Sequence, residues 1–301
     1  MTPARIGFAL VLVGLSMSPC EGAQTPDVLV RTVDVSGSST RAMTVGLQGR
    51  EPGQPVLVLF AGGGHRMESW AEWIRDVSSL APVVTYDRPG IGGSPFDGID
   101  PTPQRVVEHA HELLNVIDVP PPYILVGWSW GGPLIRYYSG EYPEDIVGMV
   151  YLDPSDMTAT PAENIGASND EELRERQAEL DAVVAASERP PGREASGRVA
   201  SEFFRSAVAD RGLPDDLDVP TIVVLATLAP NISADAPSYI DERYYEMMFA
   251  RRVRQFGEWV LGRPNTTLIV TTDAGHAVFR DDPDLATEAV RRVIAQVGES
   301  R

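Results

Sequence analysis

The chain has 301 residues, 43% of them hydrophobic, which is enough for one large core and for a single α/β domain carrying an insertion. Its formal net charge of −18 makes a surface that repels nucleic acid and anionic lipid headgroups, and no Lys/Arg-rich run offsets it. Nucleic acid is therefore excluded as a partner, and a small-molecule substrate is expected.

The N-terminus reads as an export signal over residues 1–22. Arg5 supplies a positive start, Ile6 to Leu15 is almost wholly apolar, and small and polar residues follow from Ser16 to Ala23. Cleavage is expected after Gly22 or Ala23. The apolar run is too short for a membrane-spanning helix, so the mature chain is expected to carry no integral span and to be periplasmic or secreted. Cys20 is the only cysteine and lies in or beside the signal, which leaves the mature protein without a disulfide. Lipid anchoring at Cys20 is the alternative, though Pro19 directly before it fits a lipoprotein processing site poorly. No Cys/His cluster has metal-ligand spacing, so neither a metal nor a cofactor is expected.

Val28 to Val35 and Met43 to Leu47 predict two strands joined by the polar turn Ser36-Gly37-Ser38-Ser39. Val56 to Phe60 is a wholly apolar strand followed by Gly62-Gly63-Gly64. Trp70 to Leu80 has helical spacing, Val83 to Tyr86 is another buried strand, and Val106 to Ile117 is an amphipathic helix. Tyr123 to Val126 and Ile146 to Leu152 are further strands. Short apolar strands alternating with helices predict an α/β fold, a mostly parallel sheet covered on both faces. The alternation breaks over residues 156–216, which hold no strand, are rich in Glu, Arg and Ala, and contain the predicted loop Arg189 to Arg193. This segment is either a helical cap over the sheet or a solvated linker, and the apolar stripe Leu173, Leu180, Val183 and Val184 favours a cap inserted into a core of residues 26–155 and 217–299. The sheet resumes at Pro220 to Ala226 and Thr267 to Thr271, with helices over Tyr239 to Leu261 and Leu285 to Val297.

The stretch Gly127-Trp128-Ser129-Trp130-Gly131 fits Gly-x-Ser-x-Gly between a strand and a helix. A serine on so sharp a turn needs small residues two positions either side, and its Oγ then projects from the top of the sheet as a candidate nucleophile. Such a serine needs a base, and His276 is the best placed of the four histidines, because it follows a strand at the same sheet end. His109 and His111 fall within the 106–117 helix, where surface imidazoles are usually inert, and His65 follows the glycine run. Two amides must receive the oxyanion. The geometry assigns one to Trp130, directly after the serine, and one to Gly63, in the loop after the 56–60 strand.

These pieces resemble the α/β-hydrolase superfamily of the esterase, lipase and haloperoxidase type. The matching segments are Phe60 to Gly64 with Trp70, Tyr86-Asp87-Arg88-Pro89-Gly90-Ile91-Gly92-Gly93-Ser94, Val126 to Gly132, Tyr142-Pro143-Glu144, and Ala274-Gly275-His276 with Asp282-Pro283. The resemblance spans roughly residues 50–155 and 218–297 and implies the α/β-hydrolase fold. It implies no particular substrate. The Asp87 to Ser94 segment is family-typical structure, a tight loop.

The chain departs from the family twice. Ala61-Gly62 stands where His-Gly is common before the oxyanion glycine. The strand after the cap is followed by no carboxylate until Asp235, where the family's usual acid lies close to the strand end. The other acid position is the end of the strand following the nucleophile, where this chain has Leu152-Asp153-Pro154, a context that some lipases of the family share. Asp153 keeps the order Ser, Asp, His and is the expected acid, with Asp235 and Asp156 as alternatives.

The leading reading is an exported serine hydrolase that cleaves carboxylic esters through an acyl-serine. The segment also resembles the Gly-Gly-Ser-Trp-Gly of proline iminopeptidases, and the cap carries Glu171, Glu172, Glu175 and Glu179, so an aminopeptidase is the second reading. A non-catalytic hydrolase fold that binds a ligand is the third.

Overall fold

The computed structural model describes residues 27–155, 157, 190–206, 208–230 and 242–299. Eight strands run in chain order as β1 (Val28–Val35), β2 (Ser38–Val45), β3 (Val56–Phe60), β4 (Val83–Tyr86), β5 (Tyr123–Trp128), β6 (Ile146–Leu152), β7 (Thr221–Ala226) and β8 (Thr266–Thr271). They form one sheet in the order β1-β2-β4-β3-β5-β6-β7-β8. Only β1–β2 and β2–β4 pair antiparallel; every other pair is parallel.

Among the described residues the α-helices are α1 (Ile74–Val77), α2 (Pro103–Val116), α3 (Gly131–Glu141), α4 (Pro191–Arg205), α5 (Glu242–Val260), α6 (Val278–Asp281) and α7 (Pro283–Glu299). They cover both faces of the sheet, which is why the central strands are apolar throughout rather than alternating. In β3 and β5, Val58, Phe60 and Leu125 face α2, α3 and Phe256 of α5, while Leu57, Leu59, Ile124 and Val126 face Trp70, Trp73 and α7. Cutting one of these side chains back to alanine would cost about 2–5 kcal/mol.

Several local expectations are corrected. The first hairpin turns over Ser36 and Gly37 alone, and β2 begins at Ser38 rather than Met43. Both turn residues have positive φ, 50° and 82°, which suits the tight two-residue turn that follows the twist of the strands. Helix α2 starts three residues before Val106. Thr102 caps it by accepting from the amide of Arg105 at 3.3 Å, and Pro103 takes the first helical position. The 70–80 stretch is not one helix but a 3-10 turn at Met67–Trp70 followed by α1. Its apolar spacing still buries Trp70, Trp73, Ile74 and Val77 together. The loop predicted at 189–193 becomes the start of α4, with Pro191 and its fixed φ opening the helix.

The connection from β6 to β7 spans the residues read as a cap, of which 156, 158–189 and 207, with the stripe Leu173, Leu180, Val183 and Val184, lie outside the described residues. Its two ends are tied together by buried Arg211, whose Nη1 donates to the carbonyl of Met157 at 2.9 Å. Further ties run to the carbonyls of Phe204 and Ser206 at 3.3 and 3.2 Å. Among the described residues no helix is long and apolar enough to cross a membrane.

Candidate active site

β5 is buried along its whole length and ends at Trp128, and α3 begins at Gly131, so Ser129 sits on the turn between them. Its φ is 54°, in the left-handed region that costs a non-glycine residue free energy. The flanking glycines follow from contact distances. A Cβ on Gly131 would lie 2.0 Å from the carbonyl oxygen of Phe60, and one on Gly127 would lie 2.5 Å from the oxygen of Gly131. No larger residue fits this turn without moving β3 or α3.

The loop after β3 runs alongside the serine. The Cβ position of Gly62 is 3.1 Å from Ser129 Cβ, and that of Gly63 is 3.7 Å from Trp130 Cβ. The backbones of Gly63 and Trp130 are thus neighbours at the mouth of the site. Arg88 sets the orientation of this loop. Its guanidinium is buried and donates to the carbonyls of Ala61 at 2.7 Å and Gly62 at 2.5 Å. A trans peptide points its N–H opposite its C=O, so holding the Gly62 carbonyl aims the Gly63 N–H away from Arg88.

The acid and base candidates come from two other strand ends. Asp153 follows β6 with a φ of 42° and is 2% exposed. His276 lies in the loop after β8, and its Nδ1 donates to Asp153 Oδ2 at 2.6 Å. A carboxylate only accepts, so Nδ1 carries a proton, and in the neutral imidazole Nε2 is then the basic nitrogen. The other oxygen of Asp153 accepts from the amide of Ala226 at 3.1 Å and from Arg252 Nη1 at 2.9 Å. Trp128 Nε1 donates to the carbonyl of His276 at 2.7 Å and pins the histidine loop beside the elbow. Among the described residues no hydrogen bond joins Ser129 Oγ to His276, a bond that in resting enzymes is often long and tightens with substrate.

All these groups sit beyond the carboxyl ends of parallel strands, where ligands bind in open α/β sheets. The alternative acids Asp235 and Asp156 lie outside the described residues. Trp128 is a core residue, packed among Trp70, Phe279, His65 and His276. Trp130 is buried as well and meets Phe203 and Phe204 of α4 edge-on. The start of α4 is fixed by the contact of Gly192 with Gly90, where a Cβ on either residue would fall within 2.5 Å of the other's Cα. That contact places Arg193 beside Gly64, its Nε 3.0 Å from the Cβ position there.

His65 stacks against Trp128 with ring centres 4.5 Å apart. Its pKa is lowered by partial burial first and then by Arg193, Arg88, His276 and Arg280, so it is neutral near pH 7. The helix histidines take other places. His109 is not a surface group, as expected from its helix, but is buried and bonded to Thr40 Oγ1 at 2.8 Å. His111 stacks on Tyr142 at 3.8 Å. Three arginines at the site were not singled out in the sequence. Arg88 lay inside a segment read as structural, Arg193 closed a segment read as a loop, and Arg252 looks like an ordinary helix charge.

The sequence model described as "Alpha/beta hydrolase family" matches residues 57–289. The chain belongs to that family. Among curated relatives of this chain, a poly(3-hydroxyalkanoate) depolymerase of Ectopseudomonas oleovorans is 28% identical over 38% of the chain and 40% of its own length. Protein phosphatase methylesterase 1 of Bos taurus is 30% identical over 36% of the chain and 30% of its own length. The chain spans less than half the length of the curated relatives that it matches first. Among solved structures, a serine hydrolase involved in carbazole degradation superposes with a TM-score of 0.57 at 18% identity, covering 89% of this chain and 99% of that one. A probable hydrolytic enzyme of Pseudomonas aeruginosa gives a TM-score of 0.57 at 18% identity over 88% and 93%. At these identities the likeness is one of fold.

Proposed function

We propose that the protein is an exported serine hydrolase that cleaves carboxylic esters. The observation that carries this reading is the bond from His276 Nδ1 to Asp153, beside a serine held at positive φ on the turn after β5. In the proposed reaction His276 Nε2 takes the proton of Ser129 as Oγ attacks the ester carbonyl. The amides of Gly63 and Trp130 receive the oxyanion of the tetrahedral intermediate. His276 then gives its proton to the departing alcohol, leaving an acyl-serine. Water, deprotonated by the same imidazole, attacks the acyl group and regenerates the serine. The methylesterase among the relatives supports an ester over an amide as substrate. The apolar run from Ile6 to Leu15 supports export through a signal over residues 1–22.

A fluorophosphonate probe, followed by mass spectrometry of the labelled peptide, tests the nucleophile. The expected label is on Ser129 and absent in Ser129→Ala; a protein that takes no label would overturn the reading and leave a binding role. Assaying short acyl esters beside a proline arylamide separates esterase from aminopeptidase, with the esters expected to react faster. Mass spectrometry of protein recovered outside the cytoplasm is expected to show the loss of roughly the first two dozen residues. An intact Met1 or Thr2 there would count against export by cleavage.

A further inference from the structure

Asp153 is held between an imidazole and a guanidinium. On one side is His276, whose side chain is 56% exposed; on the other is Arg252, 11% exposed, in the middle of α5. Arg252 grips the segment in two places, Nη1 on Asp153 Oδ1 at 2.9 Å and Nη2 on the carbonyl of Pro154 at 2.8 Å. The residue at positive φ and the one after it are therefore both fixed from α5, which lies 99 positions away in sequence. The electrostatic consequence is direct. A carboxylate that already neutralises a partly buried guanidinium has less to offer an imidazolium on its other oxygen.

We propose that Arg252 is a positioning residue for the proposed acid: it clamps Asp153 toward His276 and shares its charge. This rests on the reading of Asp153 as the acid. The geometry distinguishes Arg252 from a generic ion pair, since the same carboxylate serves both partners through separate oxygens. His276 also lies near His65, which in turn feels Arg88, Arg193 and Arg280, and Asp281 accepts from the Gly275 amide of the histidine's own loop. All of them remain when Arg252 alone is changed, so their contributions cancel in the comparison.

The test is the pH profile of kcat/KM on a short acyl ester for wild type, R252Q, R252K and D153N. In R252Q the acid limb should move to higher pH by about one unit, because the full charge of Asp153 then acts on His276. The plateau should fall by no more than about tenfold, since the Ala226 amide still orients the carboxylate. R252K keeps the charge and should leave the limb where the wild type has it. If R252Q does not fold, R252M, an apolar side chain of similar length, carries the same test without a buried unpaired amide. NMR titration of His276 in a Ser129→Ala background reads the same shift without any turnover. An unmoved limb in R252Q or R252M, or an equal shift in R252K, would overturn the proposal. Wild-type activity in D153N would instead overturn the acid assignment on which it rests.

Discussion

Ser129 and Asp153 leave adjacent parallel strands in the same uncommon conformation, with φ of 54° and 42°. The two turns are laced together. The amide of Ser129 donates to the carbonyl of Leu152 at 3.3 Å, and the amide of Ser155 donates to the carbonyl of Ser129 at 2.9 Å. Each left-handed residue costs on the order of 1–3 kcal/mol, and both are held by the surrounding packing.

The first prediction follows from that strain. Glycine adopts positive φ freely, so Ser129→Gly should be more stable than Ser129→Ala by about 1 kcal/mol. Both should lose ester hydrolysis by about 10⁵-fold or more. Urea denaturation of the two variants, beside a rate assay, checks this. Equal midpoints would show that the turn stores no strain at Ser129.

Asp153→Asn should lower kcat by on the order of 10⁴-fold with the fold intact, because an amide at this position favours the wrong imidazole tautomer. Asp235→Asn should have a much smaller effect. Steady-state kinetics on both variants ranks the two carboxylates, and the reverse order would move the acid to the loop after β7.

Gly131→Ala should destabilise the protein by at least the ~1–3 kcal/mol of an overpacked core. The new methyl would lie 2.0 Å from the carbonyl oxygen of Phe60, a backbone atom of β3 that no rotamer change can move. Activity should fall too, since relief requires β3 and its glycine loop to shift from the serine. Thermal unfolding and kinetics of the variant measure both effects.

Arg88→Met should lower kcat more than it raises KM. The buried carbonyl of Ala61 would lose its donor, at about 1–3 kcal/mol, and that of Gly62 would keep only the amide of His65 at 3.2 Å, so the Gly63 peptide would be held less firmly. Burial lowers the pKa of Arg88 from the usual arginine value, yet lysine is no substitute, because one ammonium cannot reproduce the fork. A kcat like that of the wild type would mean that the loop holds its shape without Arg88.

The pH dependence of stability has a predicted contribution from His109. Burial, and then Arg105, lower its pKa below the ordinary 6.5. The unfolded chain therefore binds a proton that the folded chain refuses, and stability rises with pH in this window. The contribution is fully present above about 6.5 and is lost as pH falls toward the folded value. The difference in denaturation midpoint between pH 5 and pH 7.5 should be smaller in His109→Gln than in wild type. An unchanged difference would show that His109 takes up its proton within the fold.

What the sequence determined by itself was local. The apolar runs of β3 and β5 can only be strands buried on both faces, and Gly127, Ser129 and Gly131 between a strand and a helix mark a turn that backbone sterics make recognisable. His276 after a strand and Gly63 in a glycine run were legible for the same reason: chain position in an alternating α/β fold fixes the sheet end. The family membership follows from these segments in their order. Element boundaries were less legible where capping decides them, as at Thr102 and Pro103, or where a turn type decides them, as at Ser36 and Gly37. Partners far apart in the chain were decided only by the tertiary structure. His276 meets a carboxylate 123 residues away, and that carboxylate meets Arg252 99 residues away. Arg88 turned out to hold the glycine loop, and His109 to be buried against β2. Strand order and packing choose these pairings, and a charge or an imidazole carries no mark in its neighbouring residues of the partner that the fold will bring to it.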